Sequence, residues 1–308
     1  MTEAAAPDVL ACRTCGKPRG ENITNGTRCA RCGIRQSVML CAAAGIGVAN
    51  AAYLSTSDLR HAAAGAIVGA IVAPLAWVAT AAVHELGHAV AAWLLGQTVT
   101  RIVIGEGSAI WKRGRDPQIV IGSVVMGNAL TSVMDLRPDG YRTRAVLVLL
   151  AAPIASAVGG MFVLVVGVGR WMPIEAAAVL FAFFSFAMTV ITLIPVPTFG
   201  GRVWSDLASA LYLLRASERD IEEHMLMAGQ DRIVVLLQTG APEQAIETGR
   251  RAVEAAPGAP LAYGLLAYAL HHVGRVEEAA TVARSALDLA QDEPARTYLR
   301  QFISAPTA

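Results

Sequence analysis

The sequence predicts a mainly α-helical chain, a polytopic membrane helix bundle of about four spans with polar regions at both ends. Three observations carry that expectation. Hydrophobic residues make up 55% and charged residues 16% of the 308 positions, with a mean hydropathy of +0.49, far from ordinary soluble balance. The apolar residues gather in runs long enough to cross a bilayer, which takes about 20 residues. Beyond about Asp220 the chain turns polar and repeats with a fixed period.

The N-terminal arm, residues 1–36, carries Cys12-Arg-Thr-Cys15-Gly16 and Cys29-Ala-Arg-Cys32-Gly33. Four thiolates in two CxxC pairs suit a closed tetrahedral site, the structural form of zinc binding. Glycine after each second cysteine allows the tight backbone turn. Two disulfides or a redox pair are the alternatives. A reducing cytoplasmic setting argues against the first, and the lack of a βαβ pattern argues against the second. The expectation is a small zinc-ribbon-like arm holding one structural zinc through Cys12, Cys15, Cys29 and Cys32. Its arginines form a charged juxtamembrane stretch, and no nucleic-acid partner is expected. Cys41 lies in the first span and reads as packing.

The four spans are expected near 38–54, 61–95, 145–168 and 174–194. The second is too long for one upright crossing, and Pro74 is expected to kink or split it. Lys and Arg crowd the N-terminal arm and the stretch from Arg101 to Arg144, whereas the breaks near Asp58 and Arg170 hold few charges. By the positive-inside rule both termini then fall in the cytoplasm, in a plasma membrane of bacterial type. Thr98–Gly105 and Gln118–Val125 alternate like strands and form a small membrane-associated β element.

From His61 to Thr100 the only formally charged residue is Glu85, inside His84-Glu85-Leu86-Gly87-His88. An ionisable residue at membrane depth costs roughly 2.5–3.5 kcal/mol on insertion scales and so needs a functional reason. Residues four apart share a helix face, so His84 and His88 can bind one Zn²⁺, with Glu85 placed beside it as a base for water. Two histidines leave such a site one protein ligand short.

After about Asp220, Gly240 and Gly274, Glu243 and Glu277, Ala245 and Ala279, Ala252 and Ala286, and Pro260 and Pro294 stand 34 residues apart. That is the tetratricopeptide period. Residues 218–308 are accordingly expected to form a helical repeat domain that binds a regulatory protein, docks on the membrane part, or supports a homodimer.

Within the central region, residues 37–217, the stretch from about His61 to Leu214 resembles the site-2 protease (M50) family of intramembrane zinc metalloproteases, which implies an intramembrane metalloprotease core. HELGH matches that family's HExxH, Leu193-Ile-Pro195-Val-Pro197 matches its NxxPxPxxDG element, and Ala152-Pro153-Ile-Ala-Ser156 resembles its A/G-G-P-x-x-N element. The sequence departs from the pattern twice. Thr192 replaces the usual asparagine, and Gly200 falls where the zinc-binding aspartate is expected, with Asp206 the next acid. The resemblance implies a catalytic zinc on His84, His88 and Asp206, with Glu85 as the catalytic base and Thr192 contacting substrate backbone. It also implies membrane-anchored protein substrates cleaved in or near their transmembrane segments. Asp135, Asp139 and Glu106 are weaker ligand candidates because they lack the proline-turn context. A catalytically inactive membrane scaffold is the alternative, motivated by Gly200. A transporter would require further buried charges, and the sequence offers almost none.

Overall fold

The computed structural model describes residues 59–303 apart from 115–116, 171, 195–196, 199–202 and 292, together with 42–50 and positions 35, 38–39 and 57. The cysteine arm expected at 1–36 lies outside the described residues. Of the first expected span, residues 42–50 are helical.

Helix α1 (Leu59–Leu94) is one continuous element of 36 residues. Pro74 sits inside it without dividing it, so of the expected kink or split the split does not occur. A proline interior to a membrane helix is tolerated where neighbouring helices and local adjustments satisfy the freed backbone groups. At 1.5 Å per residue α1 is ~54 Å long, well beyond the ~30 Å hydrocarbon layer.

Strands β1 (Thr98–Arg113) and β2 (Gln118–Met134) pair antiparallel with several register shifts. Residues 98–104 lie against 129–134, and 109–113 lie against 119–122. Val103 therefore has both Leu130 and Val120 as partners, and both valines are buried.

Helices α2 (Tyr141–Gly167) and α3 (Met172–Leu193) follow. With α1 they are the three helices, among the described residues, long and apolar enough to cross a membrane. Their outward residues, such as Ile67, Leu75, Phe162 and Phe183, are exposed and apolar, as a lipid-facing surface requires. Inside the bundle, Ala73, Ala76, Leu180, Phe181 and Phe184 pack into one cluster. Thr80 lies within 3.3 Å of the Ser185 hydroxyl, and Thr189 donates to the Pro153 carbonyl at 3.2 Å. Such interhelical hydroxyl contacts hold helices together where lipid supplies no hydrophobic drive.

A short antiparallel pair, β3 (Pro197–Thr198) and β4 (Val203–Trp204), leads into α4 (Asp206–Arg215). The remaining elements are α5 (Glu218–Gln238), α6 (Pro242–Ala255), α7 (Pro260–His272), α8 (Val276–Ala286) and α9 (Glu293–Ile303). The 34-residue period is visible in the backbone. Gly240 follows α5 with φ +72°, and Gly274 follows α7 with φ +83°, a left-handed turn that favours glycine.

The array is joined to the rest of the chain by packing. A single hydrophobic cluster runs from Met134, Leu136 and Tyr141 through Leu213 to Leu299 and Phe302. Polar ties reinforce it, with Ser132 donating to Asp231 at 3.0 Å and the Tyr141 hydroxyl lying 2.8 Å from His224 Nδ1. Burial lowers the basicity of His224.

Candidate metal centre

His84 and His88 occupy consecutive turns of α1, and both are buried, as is Glu85 between them. Asp206 opens α4, directly after the N-capping residue Ser205. The Ser205 hydroxyl accepts from the Ala208 amide at 3.1 Å and donates to the Ile194 carbonyl at 2.6 Å. That second bond fixes the start of α4 to the end of α3 and aims Asp206 back into the bundle.

The result is a cluster of three potential ligands. Asp206 Oδ2 lies 3.1 Å from His84 Nε2, and Oδ1 lies 3.5 Å from His88 Nε2. One ligand atom from each of the three residues lies within 4.8 Å of the other two. The structure thus brings together an acid and two histidines separated by more than a hundred residues of sequence.

Two groups that sequence reasoning missed set the imidazoles. His88 Nδ1 lies 2.8 Å from the Val148 carbonyl, and His84 Nδ1 lies 3.1 Å from the buried Ser156 hydroxyl. A carbonyl only accepts, so Nδ1 of His88 carries the proton and Nε2 presents a lone pair. Ser156, whose hydroxyl can donate or accept, takes the Nδ1–H of His84 when that imidazole has the same tautomer as His88. Two imidazole lone pairs and a carboxylate then face one another with no proton among them. Asp206 Oδ2 and Glu85 Oε2 are also buried without a hydrogen-bond donor. Three converging acceptors repel unless a cation lies between them, so the donor set fits a divalent metal of zinc type. Ser156 closes the quoted Ala152–Ser156 stretch, which was its one trace in the sequence; a backbone carbonyl such as that of Val148 leaves none.

Helix α2 reaches the histidines because of Gly87. A Cβ built there would lie 2.7 Å from Ala152 Cα and 2.8 Å from Ala155 Cβ. Any side chain would force the two helices apart.

The other candidates are placed elsewhere. Thr192 donates its hydroxyl to the Met188 and Thr189 carbonyls, at 2.9 and 3.3 Å, within its own helix. Asp135 is buried, held by Arg137 at 2.9 Å, Arg144 at 2.6 Å and Gln97 at 3.0 Å. Burial acts to raise its pKa, but these donors overcome it and bring the value down to about 2. Asp135 therefore ties the ends of α1 and β2 to the start of α2. Thr131, on β2, donates to the Glu85 carbonyl at 3.1 Å, so the 129–134 segment is the part of the sheet beside HELGH.

Comparisons with known proteins agree with this architecture. A family model for a tetratricopeptide repeat matches residues 236–301. No curated protein and no solved structure matches the chain. A Peptidase M50B-like family model matches residues 44–227, three-fifths of the chain and the whole of the His84–Glu85–His88–Asp206 cluster, and on that match the chain belongs to the M50B-like peptidase family.

Proposed function

We propose that this chain is a zinc-dependent intramembrane peptidase that hydrolyses peptide bonds in or near the transmembrane segments of membrane-anchored proteins. The observation that carries the reading is the convergence of Asp206, from the start of α4, on His84 and His88, which flank a buried Glu85 in a helix apolar enough to span a membrane. His84, His88 and Asp206 would hold the catalytic zinc. Bound there, zinc supplies Lewis acidity and lowers the pKa of water towards neutrality.

The chain's own residues do the rest. Ser156 and Val148 hold the imidazoles in the ligating tautomer. Glu85, whose Oε2 has no donor, accepts a proton from the attacking water and delivers it to the leaving amine. The bundle limits bulk water around the reacting groups. A substrate helix hides its amides in its own hydrogen bonds, so it must unwind before attack. The 129–134 segment beside HELGH is placed to hold the unwound stretch by strand addition. Thr192 would contact substrate backbone by giving up the bonds of its hydroxyl to the Met188 and Thr189 carbonyls.

In this reading the chain sits in a bacterial plasma membrane with both termini in the cytoplasm. The cysteine arm holds a second, structural zinc, and the repeats bind a regulatory protein or a second copy of the chain.

The test is cleavage of single-span substrates by purified protein in proteoliposomes, wild type against Glu85→Gln. The reading predicts cleavage by wild type and none by Glu85→Gln, with zinc content equal in both. Zinc-loaded wild type that cleaves no member of a broad single-span panel would favour the scaffold.

A further inference from the structure

We propose that Arg142 is a positioning residue that latches the C-terminal helical array to the carboxylate of the metal centre. This rests on the reading of Asp206 as a ligand. Asp206 stands at one end of α4, and the other end belongs to the array. Leu213 is fully buried and Ala216 nearly so, both within the cluster that runs through α5 to α9. Only Ala216 and Ser217 separate α4 from α5.

Arg142 grips that far end. From the first turn of α2, its guanidinium donates to the Leu214 carbonyl at 3.3 Å, the Ala216 carbonyl at 2.9 Å and Glu218 Oε1 at 2.9 Å. The carbonyls at a helix C-terminus otherwise lack partners, and a cation there also meets the negative end of the helix dipole. Glu218 is 92% exposed, so its ion pair adds little. The carbonyl contacts are the substance of the latch.

The same helix, α2, carries Val148 and Ser156, which orient His88 and His84. All three ligands are therefore referenced to α2, the histidines directly and Asp206 through Arg142 and α4. Ten residues make α4 ~15 Å long. A shift of ~2 Å at its Ala216 end would tilt it by roughly 8° and swing the Asp206 carboxylate by several tenths of an ångström, beyond the ~0.2 Å tolerance of a metal site. A partner that shifts the array thereby reaches the third ligand, and the array is a built-in handle on the metal centre.

The test is zinc affinity of the full-length protein in detergent by chelator competition, with His84→Ala defining the zinc held elsewhere. Arg142→Ala is expected to weaken the site about tenfold, in the range of groups that orient metal ligands. Arg142→Lys should recover part of the loss, and Glu218→Ala should stay within about twofold of wild type. In an Asp206→Ala background, where His84 and His88 alone hold zinc weakly enough to be followed only by titration at raised metal concentration, Arg142→Ala should cause no further loss, which a general structural role would not produce. If Arg142→Ala does not fold, Arg142→Lys and Arg142→Gln decide by the same cycle. Wild-type affinity in the Arg142 variants, or equal losses with and without Asp206, would overturn the latch. Undiminished zinc in Asp206→Ala would instead overturn the ligand assignment beneath it.

Discussion

Replacing Gly87 by alanine tests whether the metal centre depends on the close approach of α1 and α2. The added Cβ would lie 2.7 Å from Ala152 Cα, 2.8 Å from Ala155 Cβ and 3.1 Å from the Ala151 carbonyl oxygen. Two of those are backbone atoms and the third is a Cβ, so no side-chain rotation relieves the clash. Carbon atoms settle at about 3.5–4.0 Å, so α2 must withdraw by roughly 1 Å. Overpacking of this kind costs about 1–3 kcal/mol, and alanine returns about 1 kcal/mol of helix propensity relative to glycine. The fold should therefore survive with a modest loss of stability. The metal centre should suffer more, because α2 carries both groups that hold the imidazoles. Adding ~1 Å to bonds of 2.8 and 3.1 Å takes them past the hydrogen-bonding range. Zinc affinity should fall about 10- to 100-fold while thermal unfolding in detergent stays cooperative. Chelator competition beside a thermal melt measures both. A Gly87→Ala protein with wild-type zinc affinity would refute the dependence on helix approach.

Two further outcomes follow from the same contacts. Ser156→Ala leaves His84 Nδ1 without its partner, and zinc affinity should fall about tenfold with little change in melting temperature; an unchanged affinity would mean that Ser156 does not orient His84. Asp135 is expected to stabilise the fold in a pH-dependent way, since its pKa is lowered from 3.8 to about 2. The lowered carboxylate contributes stability that is fully present above pH 3.8 and is lost as pH falls towards 2. Melting temperature should thus drop across that window in wild type and less steeply in Asp135→Asn; parallel curves would contradict it.

Local signals made much of this chain legible from sequence. HELGH stands out because hydrocarbon-length sequence leaves no cheap explanation for Glu85. The three spans found among the described residues follow from run length, and the array from a period that returns as matched left-handed glycines at 240 and 274. Asp206 was reached through resemblance alone, since direct counting along the family's element ends on Gly200. The geometry explains how an acid six residues later reaches the histidines: the β3–β4 pair and the Ser205 cap turn the chain so that α4 begins at the bundle. Val148, Ser156 and Arg142 act through tertiary contacts and one backbone carbonyl, for which sequence carries no periodic mark. Pro74 does not by itself decide whether the helix divides there, because that depends on neighbours that the local sequence does not name.

The central claim is that His84, His88 and Asp206 form one metal site, and zinc per chain in purified wild type, His84→Ala and Asp206→Ala tests it most directly. With the four arm cysteines intact, the account predicts two zincs in wild type and one in each variant. Two zincs retained in Asp206→Ala but not in His84→Ala would move the third ligand elsewhere, and one zinc in all three proteins would contradict the metal centre itself.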